Sequence, residues 1–125
     1  MDSGQLTIKN EENALKQKSY SFALEVVKTC IELQAEKEFI LSKQLLRSDT
    51  AIGALVEEAN QAESKADFIH KLSIANKEAN ETQYWIRLLI DSEVLDSAKG
   101  EVLLKHCTEL IKILTASIKT SKLKR

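Results

Sequence analysis

No proline interrupts this chain of 125 residues, and its only glycines are Gly4, Gly53 and Gly100. Proline is the residue that most reliably stops a helix, so long uninterrupted helices are open to the sequence. Apolar and small residues then recur in alternating steps of three and four, the spacing that lines one face of a helix. Four such stripes can be traced, over roughly residues 11–34, 37–60, 64–92 and 97–120.

The first stripe runs Leu15, Ser19, Phe22, Val26, Thr29, Leu33, with Ala23, Val27 and Cys30 beside it. The second follows Leu41, Leu45, Ser48, Ile52, Leu55, Ala59, flanked by Ile40, Leu46 and Val56. The third is the most regular: Phe68, Leu72, Ala75, Ala79, Thr82, Ile86, Leu89. Ser64 stands before it as an N-cap with Asp67 three residues on, a weaker capping box. The fourth opens near Asp96 or Ser97 and carries Leu103, Cys107, Leu110, Leu114 and Ser117, widened by Ile111, Ile113 and Ile118. Short connections near 34–37, 61–64 and 92–97 make neighbouring helices antiparallel. The expected fold is all-α, an up-down-up-down four-helix bundle in one domain over residues 1–125, with 1–10 and 119–125 as mobile ends.

Charge excludes a strong global field. Eighteen basic residues against nineteen acidic ones leave a formal charge of -1, so attraction of nucleic acid or an anionic membrane has to come from local clusters. After Glu109 no acid occurs, and Lys112, Lys119, Lys122, Lys124 and Arg125 make the C-terminal segment basic. These five are the candidate nucleic-acid contacts. Cys30 and Cys107 are far apart in sequence with no CxxC spacing, as expected of buried, reduced thiols. The start "MDSGQLTIKNEEN" lacks a signal pattern and no run of 18 apolar residues occurs, so a cytoplasmic protein without membrane contact is expected.

Gly53 raises a packing question, because glycine inside a helix costs roughly 1 kcal/mol relative to alanine. With Ser48, Ala51 and Ala54 nearby, and Ala59 further along, it reads as a notch that admits another backbone to the second helix. Ala14, Tyr20, Leu24 and Ile31 in the first helix, and Ile69, Ile74, Trp85 and Leu88 in the third, lie partly outside the main seams. Surplus apolar area of this kind favours self-association over a monomer with wide core stripes.

Arg47, Glu57, Glu58, Lys71, Glu78, Glu81 and Tyr84, with Arg87 close to the latter three, suit a charged network that sets register between helices or protomers. A site gripping a ligand or phosphate is the rival reading, disfavoured because acids outnumber bases. Tyr84 and Trp85 are expected to anchor an interface rather than stack bases. Enzyme chemistry has little support. Asp67 and His70 sit at i and i+3, but a dimetal bundle needs two Glu-x-x-His motifs and two further inward carboxylates, and the chain has only two histidines. His106 and Cys107 are adjacent and diverge by about 100° on a helix. No GxSxG, Walker or dinucleotide fingerprint is present, and no metal or cofactor is expected.

The segments "KSYSFALEVV" and "LSKQLLRSDTAIGALVEEANQAESKADFIHKLSIANKEANETQYWIRLLIDS" resemble the bacterial four-helix-bundle protein family first noticed in intervening sequences of large-subunit ribosomal RNA genes. The matching positions are Arg47, Ser48, Thr50, Ile52, Gly53, Ala54, Glu58, Ala59, Lys65, Phe68, Lys71, Lys77, Glu78, Ala79, Glu81, Thr82, Tyr84 and Trp85. The family pattern has glycine, serine and asparagine where this chain has Asp49, Ala51 and Leu55. The likeness extends from about Asn10 to beyond Leu95 and implies a homopentameric barrel without a settled activity. The similar accessory proteins of diversity-generating retroelements use such a barrel to bind nucleic acid and a reverse transcriptase; they are markedly basic, unlike this chain.

Together these readings point to a non-enzymatic homo-oligomeric scaffold, pentameric by resemblance, that binds structured RNA or other nucleic acid. A protein-binding adaptor is the alternative. Arg47, Ser48, Gly53, Ala54, Glu58, Glu78, Glu81, Tyr84 and Trp85 are assigned to helix packing or the oligomer interface.

Overall fold

The computed structural model describes residues 3–124, with side chains from residue 13 onward. Four helices account for almost all of them: α1 (Ser3–Ala35), α2 (Ile40–Asn60), α3 (Lys65–Asp91) and α4 (Ser97–Leu123). Each packs against its two neighbours in the cyclic order α1, α2, α3, α4, with no diagonal pair in contact among the described residues. This is the expected up-down-up-down bundle. Its core consists largely of residues the four stripes name, including Phe22, Val26, Leu45, Ile52, Leu72, Ile86, Leu89, Leu110 and Leu114, each at most 2% exposed; Leu41, Leu55 and Phe68 of the stripes are only half-buried, and Ser42, Asp49 and Leu95 are buried from outside them. Removal of the apolar side chains from water, about 1.5–3 kcal/mol for each large one, drives the packing.

The helix ends differ from expectation in three places. α1 starts at Ser3 rather than near 11; the stretch before Glu11 contains no proline, and Ile8 precedes Leu15 by two turns, which continues the period. α2 starts at Ile40 rather than near 37, because Lys37 adopts a left-handed backbone (φ 67°) that closes α1. α4 runs on to Leu123; Lys124 forms its C-cap, and Arg125 lies outside the described residues.

The exits of α1 and α3 are Schellman turns. At the end of α1 the N–H of Glu38 donates to the carbonyl of Leu33 at 2.9 Å and that of Lys37 to Gln34 at 2.9 Å. At the end of α3, Val94 donates to Leu89 at 3.1 Å and Glu93, also left-handed (φ 61°), to Ile90 at 3.0 Å. Capping side chains start the helices that follow. Ser64 Oγ accepts from the N–H of Asp67 at 3.0 Å, as expected, and Asp96 accepts from that of Lys99 at 3.2 Å. The carboxylate of Glu38 accepts from three successive backbone N–H groups, those of Ile40, Leu41 and Ser42, at 3.2, 2.8 and 2.7 Å. Partial burial of this carboxyl opposes its ionisation, but those donors outweigh the burial and hold it below its ordinary value.

Candidate interaction faces

The charged network between α2 and α3 forms around Arg47. Its guanidinium reaches Glu78 at 3.4 Å, makes a closer pair with Glu81, and donates through Nε to Gln44 at 3.3 Å. Glu58 meets Lys71 at 3.9 Å, one step further along the same helix pair. Beneath Arg47 lies a buried polar contact, in which Thr82 Oγ1 approaches Ser48 Oγ at 2.8 Å and the Glu78 carbonyl at 2.8 Å. Arg87 does not join. It lies four residues after Gln83, whose side chain reaches Thr108 of α4 at 3.2 Å, so Arg87 belongs to the opposite flank of α3 from Glu78 and Glu81. The ring of Trp85 packs half-buried against the core while Tyr84 is half-exposed, the two in edge-to-face contact at 5.1 Å.

Gly53 is not a packing notch inside the bundle. A Cβ built there would meet nothing within 4 Å among the described residues, and the expected cluster of small residues is spread around α2: Ser48 is buried, Ala51 and Gly53 are half-buried and Ala54 is exposed. The close approach occurs instead at Gly100, buried in the first turn of α4. A Cβ there would collide with Cγ1 of Ile90 and lie 2.7 Å from its Cδ1. Gly53 faces the α1 side of α2, on the flank of Glu57, whose carboxylate pairs with Lys16 of α1 at 3.6 Å. On the same side of α1 run Tyr20, Leu24 and Ile31, exposed by 61, 48 and 62%. Of the surplus apolar residues expected of α1, these three form a real stripe, while Ala14 is half-buried. Those expected of α3 form none, because Ile69, Ile74, Trp85 and Leu88 are all half-buried.

The α3/α4 face has the opposite chemistry. Lys105, Lys112 and Lys119 recur every seven residues, drifting only ~20° per repeat, and all three are exposed. Thr108 lies between the first two and fixes this flank toward Gln83 of α3, where exposed Lys77, Asn80 and Arg87 continue the surface. None of these five cations makes an ion pair among the described residues, whereas Glu109 at the edge turns to Lys18 of α1 at 3.8 Å. Acids enter this face only at its far end, as Asp91 and Glu101. Of the residues named from sequence, Lys112 and Lys119 belong to this stripe and exposed Lys122 extends it. Lys124, past the helix end, lines a surface hollow of about 330 Å³ with Lys65 and Phe68. Lys105 was missed because a search for charge runs in sequence overlooks a period of seven, and Lys77 and Arg87 because they reach this flank from a different helix.

Three titratable groups lie inside the bundle among the described residues. Cys30 and Cys107 are buried and unpaired, as expected; their thiols donate to the carbonyls of Ser42 at 3.3 Å and Ala79 at 3.4 Å, and burial first, then nearby carboxylate charge, pushes them up to about 11 and about 12. Asp49, 1% exposed, was not foreseen. Neither of its oxygens has a hydrogen-bond partner among the described residues. On the surface between α1 and α4, Glu25 meets His106 Nδ1 at 2.8 Å. His70 is exposed, and no group of three or more His, Cys, Asp or Glu side chains able to hold a metal occurs among the described residues. No helix there is long and apolar enough to cross a membrane.

Comparison with known proteins agrees with the resemblance. The chain is similar to a crystal structure of a protein of unknown function from the S23 ribosomal protein family of Bacteroides thetaiotaomicron VPI-5482. The two share 47% identity, the likeness covers 87% of this chain and 98% of that one, and the TM-score is 0.84. None of the curated proteins matches. The family model described as 23S rRNA-intervening sequence protein matches residues 11–116, most of the bundle with its Arg47 network and the Lys105 and Lys112 steps of the basic stripe; the chain belongs to that family.

Proposed function

We propose that this protein is a non-enzymatic scaffold that self-associates through its apolar α1/α2 face and holds structured RNA against its basic α3/α4 face. The observation that carries the reading is the unpaired, seven-residue spacing of Lys105, Lys112 and Lys119 beside Arg87 and Lys77. Cations arrayed along a rod match the repeating charge of a phosphate backbone, and Asn80, Gln83 and Thr108 between them add hydrogen-bonding groups. The family's link to ribosomal RNA genes supports RNA as the nucleic acid, and the family resemblance supports a homopentamer.

Binding of a labelled RNA hairpin, followed by anisotropy between 50 and 200 mM salt, tests the RNA half. Affinity is expected to fall steeply with salt, and the Lys105→Gln, Lys112→Gln, Lys119→Gln variant to flatten the slope by about 1 for each lost phosphate contact. Removal of residues 119–125 should weaken binding less than that triple change. Absence of binding at the lowest salt refutes the RNA role. A particle of 14.1 kDa at micromolar concentration refutes self-association.

One observation favours a protein-binding adaptor as the second reading. At the α1–α2 turn Phe39 and Ile40 are exposed by 57 and 79% and, with Val94, line a surface hollow of about 470 Å³. Glu36, Lys37 and Glu38 complete its lining, and an apolar patch with two acids at its rim suits a protein side chain rather than a nucleic acid.

A further inference from the structure

Asp49 lies in α2 between Leu45 and Ile52, both at most 1% exposed, and is itself 1% exposed. Its two carboxyl oxygens face no donor among the described residues. An ionised carboxylate taken out of water without a partner is strongly unfavourable, and a group in that position is held neutral instead. We propose that Asp49 is a proton switch in the bundle core: the closed packing holds its carboxyl as the neutral acid, and its ionisation loosens the seating of α2 against α1.

Besides burial, one charged neighbour favours the protonated form, and the other groups around the carboxyl are neutral. From α1, the charge of Glu25 bears on Asp49, and the Cys30 thiol is close enough to respond to the Asp49 charge. From α4, the Cys107 thiol responds in the same way, and His106 holds Glu25 at 2.8 Å. α3 offers polar groups that do not titrate, the Ala79 carbonyl and the Thr82 hydroxyl, engaged by Cys107 and Ser48 respectively. Among the described residues no cation faces the carboxyl to offset its ionisation. Burial, with a smaller contribution from Glu25, moves Asp49 from its ordinary 3.8 up to about 7.

The sign follows from proton linkage. Between 3.8 and about 7 the folded chain keeps a proton that the unfolded chain has released, so stability falls as pH rises through that range and levels off above it. The slope cannot exceed a tenfold change in the unfolding constant per pH unit, the limit for one proton.

Urea unfolding of the intact chain and its Asp49→Asn variant from pH 4.5 to 8.5 tests the linkage. The ratio of their unfolding constants should climb with pH up to neutrality and then flatten. Labelling of Cys30 and Cys107 by a thiol reagent at pH 8 should be faster in the native sequence than in Asp49→Asn, although the Asp49 charge by itself disfavours both thiolates. Carbon-13 NMR keeps the idea testable should that variant fold poorly: the Asp49 carboxyl should titrate near neutrality and move lower in Glu25→Gln. Parallel stability profiles, equal labelling rates, or an Asp49 carboxyl titrating in the ordinary aspartate range would overturn the proposal.

Discussion

Gly53 and Gly100 look alike in the sequence, one glycine inside each of two helices, and their surroundings oppose each other. Alanine at Gly100 gains roughly 1 kcal/mol of helix propensity but drives a methyl into Ile90, an overpacking worth about 1–3 kcal/mol. Gly100→Ala should therefore leave stability unchanged or reduce it by up to about 2 kcal/mol in urea denaturation. Alanine at Gly53 enters open space, so Gly53→Ala should stabilise the folded chain by up to ~1 kcal/mol. Gly53→Leu then asks whether a second copy covers this site: a lower assembly mass places one there, and an unchanged mass leaves the face open. Asp49 shows a different limit of reading. It lies four residues after Leu45 and three before Ile52, so spacing alone places it at the core. Aspartate in a helix is ordinarily taken as solvated, and only the packing of the neighbouring helices around α2 reveals a buried acid.

At the scale of the helix, the stripes were legible because period and burial share one cause: every third or fourth side chain must leave water together. The ends were less so. Lys37 and Glu93 close α1 and α3 in the left-handed region where a Cβ costs energy, and no glycine announced either turn. Lys37→Gly and Glu93→Gly should each raise stability by about 0.5–1 kcal/mol, the relieved strain exceeding the added freedom of the unfolded chain. The start of α2 depends on Glu38. Its carboxyl is held below the ordinary range by backbone donors, so its contribution is full above the unfolded value near 4.5 and is lost as pH falls through the folded one. Glu38→Ala should cost about 1 kcal/mol at neutral pH, and the difference from the native chain should close on acidification, as measured by thermal melts at both ends of the range.

Across the whole molecule, two faces divide the chemistry. The α1/α2 side exposes Tyr20, Leu24 and Ile31, while the α3/α4 side carries Lys77, Arg87, Lys105, Lys112 and Lys119. With a net charge of -1 the composition conceals this separation, since opposite local fields cancel in the sum. If α1 carries the contact between copies, Leu24→Lys with Ile31→Lys should reduce the particle to 14.1 kDa in light scattering without loss of helical signal. The same change should leave RNA affinity per chain nearly intact at low salt, because the basic stripe lies across the bundle.

The sequence by itself determined the number of helices, their buried seams, their antiparallel order and the family. Those properties follow from local periodicity and from connections too short for any other arrangement. Which glycine meets a neighbour, where Arg87 points, that Asp49 is sealed from water and that five cations share one flank were decided only by the tertiary structure. Each depends on how two helices are rotated about their axes, and that rotation is set jointly by all the side chains of a seam rather than by the residues of either helix alone.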